Sequence, residues 1–345
     1  MPLTVYNIEE SEKWDAIVQS FKQYDVYWLS SYVKAFQIHG DGTPLLLYYE
    51  DQTTRGVNVV MRRDIAEDAN FSGIITPNTY FDLATPYGYG GWILEGDNTS
   101  GLFQSYEDWT KNNNIICEFT RFHPLIRNHD ACKSAYEVVK LGDVVHMDLG
   151  KKDDIWLNLT SKNRNMIRKA IKNDIKIYNG RYPDIYKKFK SLYDGTMDKD
   201  NADKYYYFNE DFYDSILYDL SENAQVFWAE KDGEIIAASI ILTANGYMNY
   251  HLSGNRRDYY TYAPTNYLLY KVAMWGHANG YRTLYLGGGV GSECDNLFKF
   301  KRAFYTGNLN SFYIGKKIFN KELYDKLLSL RGGANNNNYF PLYRG

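Results

Sequence analysis

The order β-β-β-α-β occurs twice along the 345-residue chain, and a repeat of that length limits the fold to alternating strands and helices built as two similar halves. In the first half, Leu45 to Glu50 and Gly56 to Arg62 read as strands across the turn Asp51 to Arg55. Phe81 to Leu94 reads as a strand interrupted by Thr-Pro-Tyr-Gly-Tyr-Gly-Gly, Thr99 to Asn112 as a helix, and Ile115 to Arg121 as a further strand. In the second half, Val226 to Glu230 and Ile235 to Thr243 flank the hairpin turn Lys231-Asp232-Gly233-Glu234. Tyr247 to Leu252 follows as a strand, Ala263 to Asn279 as a helix closed by Gly280, and Thr283 to Leu286 as the returning strand.

Between the halves, Ile155 to Ile175 reads as a short connection and a helix, with Ser161 as N-cap and Ile167, Ala170 and Ile171 as its apolar stripe. Its other faces carry Lys162, Arg164, Arg168, Lys169 and Lys172, a pattern that suits phosphate binding or a solvated basic face. These readings divide the chain into residues 1–150, a connecting basic helix over 151–175, a second domain over 176–331 and a polar tail over 332–345.

The stretch Gly280 to Phe304 carries the most chemistry. Thr283 to Leu286 is a β-favouring run, and Gly287, Gly288, Gly289 and Gly291 leave the backbone able to take positive φ or to approach a ligand closely. Asp295 is placed to cap a helix in which Leu297, Phe300, Lys301 and Phe304 recur at helical spacing, with Lys299 and Arg302 on neighbouring faces. A buried strand, a glycine hinge and a cationic helix together suit an anionic or developing-anion group. The stretch is not a phosphate-binding P-loop, because Gly-x-x-x-x-Gly-Lys-Ser/Thr is absent.

Composition narrows the setting. With 39 basic and 42 acidic side chains the net charge is −3, which argues against a general nucleic-acid coat and against DNA as a partner. Cys117, Cys132 and Cys294 are odd in number and widely spaced, so neither a disulfide framework nor a metal ligand set is indicated, and buried thiols are expected. The amino-terminal residues lack an export signal and no apolar run is long enough to cross a bilayer, which points to the cytoplasm with at most peripheral membrane contact. The 34 tyrosines suit a polar cleft for sugars or acyl chains as well as ordinary strand packing.

Leu286-Gly287-Gly288-Gly289 followed by Asn296-Leu297-Phe298-Lys299-Phe300-Lys301-Arg302 resembles the FemABX branch of the GNAT-like acyltransferases. So does Ser161-Lys162-Asn163-Arg164-Asn165 with Arg168-Lys169-Ala170. Thr85 to Gly91 and Arg121-Phe122-His123-Pro124-Leu125 are similar to segments of FemAB-like proteins associated with cell-surface polysaccharide synthesis. The resemblance covers nearly the whole chain and implies an α/β protein with mixed (α+β) sheets in which two GNAT-like domains stand in tandem. The long helical insertion that forms a coiled-coil arm in some Fem proteins is missing.

The resemblance also implies acyl transfer to an amine, with aminoacyl-tRNA or acyl-CoA as donor and no tightly bound cofactor. The acceptor would be a small-molecule or lipid-linked saccharide or peptide, such as a peptidoglycan precursor. An acyl-CoA-dependent N-acyltransferase acting on an amino sugar, and a non-catalytic saccharide- or phosphate-binding module, are the competing readings. Where a CoA-binding GNAT domain carries a glycine-rich pyrophosphate loop, this chain has Arg256-Arg257-Asp258-Tyr259-Tyr260-Thr261-Tyr262-Ala263-Pro264, so any phosphate contact there falls to Arg256 and Arg257.

Lys301 matches the family lysine that stabilises charge near the transferred acyl group, and Lys34 resembles the early lysine that contacts an acceptor phosphate. Arg164 and Lys204 are further phosphate candidates, and Gly287, Gly288 and Arg302 border the same expected site. Tyr87 and Tyr89 can stack on a sugar or brace their loop. His251, on a strand, and Asp295 are candidates for proton transfer, with a structural role and a capping role as their simpler explanations.

Overall fold

A computed structural model describes residues 3–97, 99–333, 336 and 339–345. Thirteen strands are described: β1 (Leu3–Tyr6), β2 (Thr43–Glu50), β3 (Arg55–Asp64), β4 (Phe81–Ala84), β5 (Ile93–Glu95), β6 (Ile115–Arg121), β7 (Glu137–Asp148), β8 (Lys176–Gly180), β9 (Ala224–Lys231), β10 (Glu234–Ala244), β11 (Tyr247–Asn255), β12 (Thr283–Gly287) and β13 (Asn310–Ile318). They belong to two compact units, one of residues 1–141 with 312–345 and the other of residues 142–311. The boundaries therefore differ from those read in the sequence. The basic helix belongs to the second unit, and the chain after residue 311 returns to the first.

In the first unit the strands run in the order β1-β2-β3-β4-β6-β13, with β5 on the far end of β3. β4 and β6 are parallel and joined through the helix Thr99–Asn112, whose Leu102, Phe103 and Tyr106 pack on Leu45, Leu47, Leu83 and Trp92. Beyond β4 the chain stays on β6, since the Thr85 amide donates to Phe119 O at 3.0 Å and the Gly90 amide to Arg121 O at 2.8 Å. The C-terminal segment, expected as a free polar tail, is anchored here, although residues 334, 335, 337 and 338 of it lie outside the described residues. Tyr343 is fully buried, and buried Asp82 accepts from Arg63 Nε at 2.7 Å, Tyr343 OH at 2.8 Å and Arg344 Nε at 2.6 Å.

In the second unit the order is β7-β12-β11-β10-β9-β8. Both tight hairpins follow from residue pairs that tolerate positive φ: Asp232-Gly233 (53° and 81°) joins β9 to β10, and Asn245-Gly246 (45° and 80°) joins β10 to β11. The helix Pro264–Ala278 connects β11 to its parallel neighbour β12 and lays Leu268, Leu269, Val272 and Ala273 on Met147, Met248, Leu284 and Leu286. The basic helix, Ser161–Lys172, is capped by Thr160 rather than Ser161, because the Thr160 hydroxyl accepts the Asn163 amide at 3.2 Å. Its buried stripe is Asn163, Ile167 and Ala170, and Ile171 is exposed. Cys117 and Cys132 are buried as expected, with burial pushing both thiols up, whereas Cys294 is exposed. No helix among the described residues is long and apolar enough to cross a membrane.

Candidate active site

β11 and β12 pair only from Tyr247–Thr283 to Asn249–Tyr285, although β11 continues to Asn255. The two parallel strands part there, and the glycine hinge leaves from the end of β12. His251 is the residue skipped in the β10–β11 register, between the pairs Ile240–Leu252 and Ile241–Tyr250. Burial pushes its imidazole down to about 3, and its Nε2 is shut away from solvent. The residue as a whole is half-buried, and a neutral ring at a bulge with its Nε2 closed off favours the structural role for His251.

Gly287 takes φ +83°, which an L side chain resists, and turns the chain out of the sheet. A Cβ at Gly289 would fall 2.1 Å from Glu293 O and 2.3 Å from Asp295 Oδ1, so the hinge can close on itself only with glycine there. Asp295 caps the helix Asn296–Arg302 through the Phe298 amide at 2.8 Å, and its other oxygen accepts the Val290 amide at 3.2 Å. These backbone hydrogen bonds hold its carboxyl below the usual range. Asp295 is thus a cap that fixes both ends of the hinge.

The helix turns Phe298 inward in place of Leu297, which is 39% exposed, while Lys301 and Phe304 of the expected stripe are buried. Lys301 is 9% exposed, and its Nζ donates to Gly288 O at 2.7 Å. Burial pushes its ammonium down to about 8, opposed by the charge of Asp295. The space above Gly287 Cα is bounded by two groups: a Cβ built there would lie 3.3 Å from Lys301 Nζ and 3.9 Å from Tyr285 Cε1. A poorly solvated cation beside a side-chain-free turn is suited to oxygen that gains charge during reaction.

Lys301, Asp295, Gly287 and Gly288 therefore come together, and the arginine candidates in this unit have other partners. Arg302 donates to the carbonyls of Tyr305, Gly307 and Thr306 and closes the loop after its own helix. Arg164 donates to Leu159 O at 2.6 Å, Leu157 O at 3.3 Å and Ser161 Oγ at 3.2 Å. Arg256 pairs with Glu234 and Asp258 and lies over Tyr259, while Lys204 is exposed on a short 3-10 turn, Lys204–Tyr206. Each arginine is held by local carbonyls or carboxylates, which is a structural engagement that helical spacing does not reveal.

In the first unit, Lys34 is exposed on the helix Ser30–His39. Tyr87 is half-buried, stacks on Phe36 at 5.4 Å, and its carbonyl accepts Tyr32 OH at 2.5 Å. Tyr89 is buried edge-on against Tyr27, His123 and Phe312, so it braces the loop rather than meeting a sugar. Sequence reasoning missed Tyr285, read only as part of a β-favouring run. Its place beside Lys301 depends on where the glycine hinge sends the lysine helix.

Residues 161–302, which include the whole lysine site, match the model of the acetyltransferase (GNAT) domain family. Among solved structures the chain is similar to FemX, with a TM-score of 0.69 at 13% identity over 94% of this chain and 99% of that one. It is also similar to the C-terminal domain (DUF2156) of a putative lysylphosphatidylglycerol synthetase from Agrobacterium fabrum, with a TM-score of 0.55 at 15% identity over 96% of this chain and 99% of that one. L-PGS from Bacillus licheniformis gives a TM-score of 0.55 at 14% identity over 93% of this chain and 96% of that one. No curated protein matches the sequence. Residues 161–302 thus carry a GNAT acetyltransferase-type domain around the buried lysine, within a chain that follows the FemX fold along its length.

Proposed function

We propose that the protein transfers an aminoacyl group to the amine of a nucleotide- or lipid-linked cell-envelope precursor. The observation that carries this reading is Lys301, buried against the glycine hinge with its charge poorly solvated. In acyl transfer the donor carbonyl becomes tetrahedral and its oxygen gains negative charge, and a preorganised cation lowers that barrier most where water is excluded. An α-amine of pKa ~8 supplies neutral nucleophile at neutral pH without a strong base.

The segment before the helix Pro264–Ala278 supports an aminoacyl ester over a CoA thioester. It forms a 3-10 turn, Arg257–Tyr262, with no glycine to let a pyrophosphate approach the backbone, and Pro264 at the helix start removes an amide donor. Arg256 beside it is held by two carboxylates. The C-terminal domain with a similar fold comes from a putative lysylphosphatidylglycerol synthetase, a name that denotes joining an amino acid to a lipid, which is chemistry of this type. Lys34 and Tyr87 are the proposed acceptor contacts of the first unit, Lys34 through a phosphate.

Calorimetric titration with coenzyme A, acetyl-CoA, charged tRNA and uncharged tRNA tests the donor. Saturable binding of charged tRNA is the expected result. Saturable coenzyme A binding without it would replace this reading by acyl-CoA-dependent N-acylation of an amino sugar. A Lys301→Ala variant that binds donor yet transfers nothing removes the binding-module reading, whereas unchanged turnover would remove Lys301 from the mechanism.

A further inference from the structure

Of the three histidines of the second unit, two are engaged elsewhere. His251 sits at the β-bulge with its Nε2 buried, and His277 Nδ1 lies 2.7 Å from Leu149 O. The third, His146 on β7, is the antiparallel register partner of Tyr285 on β12. Partners of this kind share a face of the sheet with Cβ atoms ~4.5–5.5 Å apart. Tyr285 is also the ring that, with Lys301 Nζ, bounds the space above Gly287. The run His146, Tyr285, Lys301 thus leads from β7 to the proposed oxyanion site.

His146 is held by one edge. Its Nδ1 is 3.2 Å from Asn310 Nδ2, and the Tyr305 ring packs at 4.9 Å. The Asn310 amide suits either tautomer. Through Nδ2 it donates to a bare Nδ1, and turned over its Oδ1 accepts Nδ1–H, which leaves the Nε2 lone pair open to a proton. The residue is half-buried, so the ring is packed without being sealed.

We propose that His146 is the proton acceptor of the acyl-transfer step, aligned by Asn310 and Tyr305 and set beside Lys301 across Tyr285. The inference rests on the acyl-transfer reading above. The amine lone pair forms the C–N bond at the ester carbonyl carbon, and the proton shed by that nitrogen passes to His146 Nε2. Lys301 holds the oxyanion. When the oxyanion collapses and the C–O bond to the carrier breaks, the imidazolium returns its proton to the leaving oxygen, so atoms and charge balance without another reactant. The groups around the ring are consistent with a neutral base at rest: burial pushes His146 below its ordinary value, Asp148 on the same strand opposes this, and nearby Asp143 accepts Ser311 Oγ at 3.1 Å. Lys301 and Arg302 on the lysine helix, Tyr285 on β12 and Tyr305 after that helix are further titratable groups on the neighbouring elements.

Two measurements on the full chain test this. In histidine-labelled protein, the His146 ring followed by NMR should titrate about 0.5 unit or more higher in Lys301→Met than in wild type, because a nearby positive charge is lost. An unchanged His146 titration would place it away from Lys301 and overturn the proposal whatever the substrate. The second measurement follows a labelled aminoacyl group from a mixed aminoacyl-tRNA pool to a nucleotide-linked muramyl pentapeptide. His146→Gln should lower kcat about 100-fold or more with KM little changed, and remove the acidic limb of the pH–rate profile. A profile that keeps that limb would overturn the proposal even if the rate falls. No transfer by wild type from this pool would count against the donor and acceptor reading alone, and the NMR titration would still decide the placement of His146.

Discussion

Replacing Lys301 by methionine should make the protein more stable and at the same time inactive. The ammonium falls from an ordinary 10.5 to about 8 on burial, a difference of 10.5 − 8, about 2.5 units. At ~1.4 kcal/mol per unit, the folded protein carries a charging cost of about 3 kcal/mol near pH 7. Methionine has a similar length, removes that cost and leaves Gly288 O without its donor, which offsets about 1 kcal/mol. The expected gain is about 2 kcal/mol, or roughly 4–8 °C in Tm for a domain of this size.

The pH dependence supplies a sharper test of the same reasoning. Below about 8 the lysine is protonated in both folded and unfolded chains and the full cost is present. Between about 8 and 10.5 the folded chain has released the proton and the unfolded chain has kept it, so wild-type stability rises with pH and the advantage of the variant shrinks. Urea denaturation near pH 7 and near pH 9.5, with m-values checked for equality, measures both differences. A Lys301→Met protein less stable than wild type near pH 7, or a stability difference that does not move with pH, would refute the argument.

Asp295→Asn should keep the helix cap, since the asparagine oxygen accepts the Phe298 amide, while losing the exposed Val290 hydrogen bond and the charge that holds the Lys301 pKa up. Stability should change by less than ~1 kcal/mol, and any alkaline limb of the rate profile set by Lys301 should move to lower pH. Gly287→Ala places a Cβ at φ +83° and 3.3 Å from Lys301 Nζ, so kcat should fall at least about tenfold with a stability loss of about 1–2 kcal/mol, both measurable on purified variant. Asp82→Asn removes the carboxylate shared by Arg63 and Arg344, leaves Arg344 with Asp68 alone, and should cost about 3–5 kcal/mol in urea denaturation. Because these partners hold the wild-type Asp82 carboxyl below its ordinary value, its contribution is lost as pH falls through that lowered value, and the variant should show a flatter acid dependence.

The hairpin Lys231 to Glu234, the glycine hinge, the cap at Asp295 and the inward lysine were legible because each depends on neighbours a few residues away. The roles of Arg302 and Arg164 were not, since helical spacing does not show that a guanidinium folds back on carbonyls of its own loop. His251 looked reactive until the bulge and its burial were seen. The pairing of His146 with Tyr285 joins residues 139 positions apart, and no local pattern specifies a register between such distant strands. The anchored C-terminus was obscured for a similar reason, because Arg344 finds its carboxylate at Asp82 in a part of the chain made far earlier.

That last contact imposes a timetable on synthesis. Residues 142–311 are contiguous and can collapse as soon as they emerge, whereas the unit begun by residues 1–141 needs residues 312–345 to finish. Until then Asp82 has Arg63 but neither Tyr343 nor Arg344, and Cys117 has no Tyr343 beside it. At roughly 5–20 residues per second, the first unit stays open on the ribosome while the entire second one is made. The half of the protein translated first is therefore the last to be completed, and during that interval it is the part most exposed to chaperones, proteases and wrong partners.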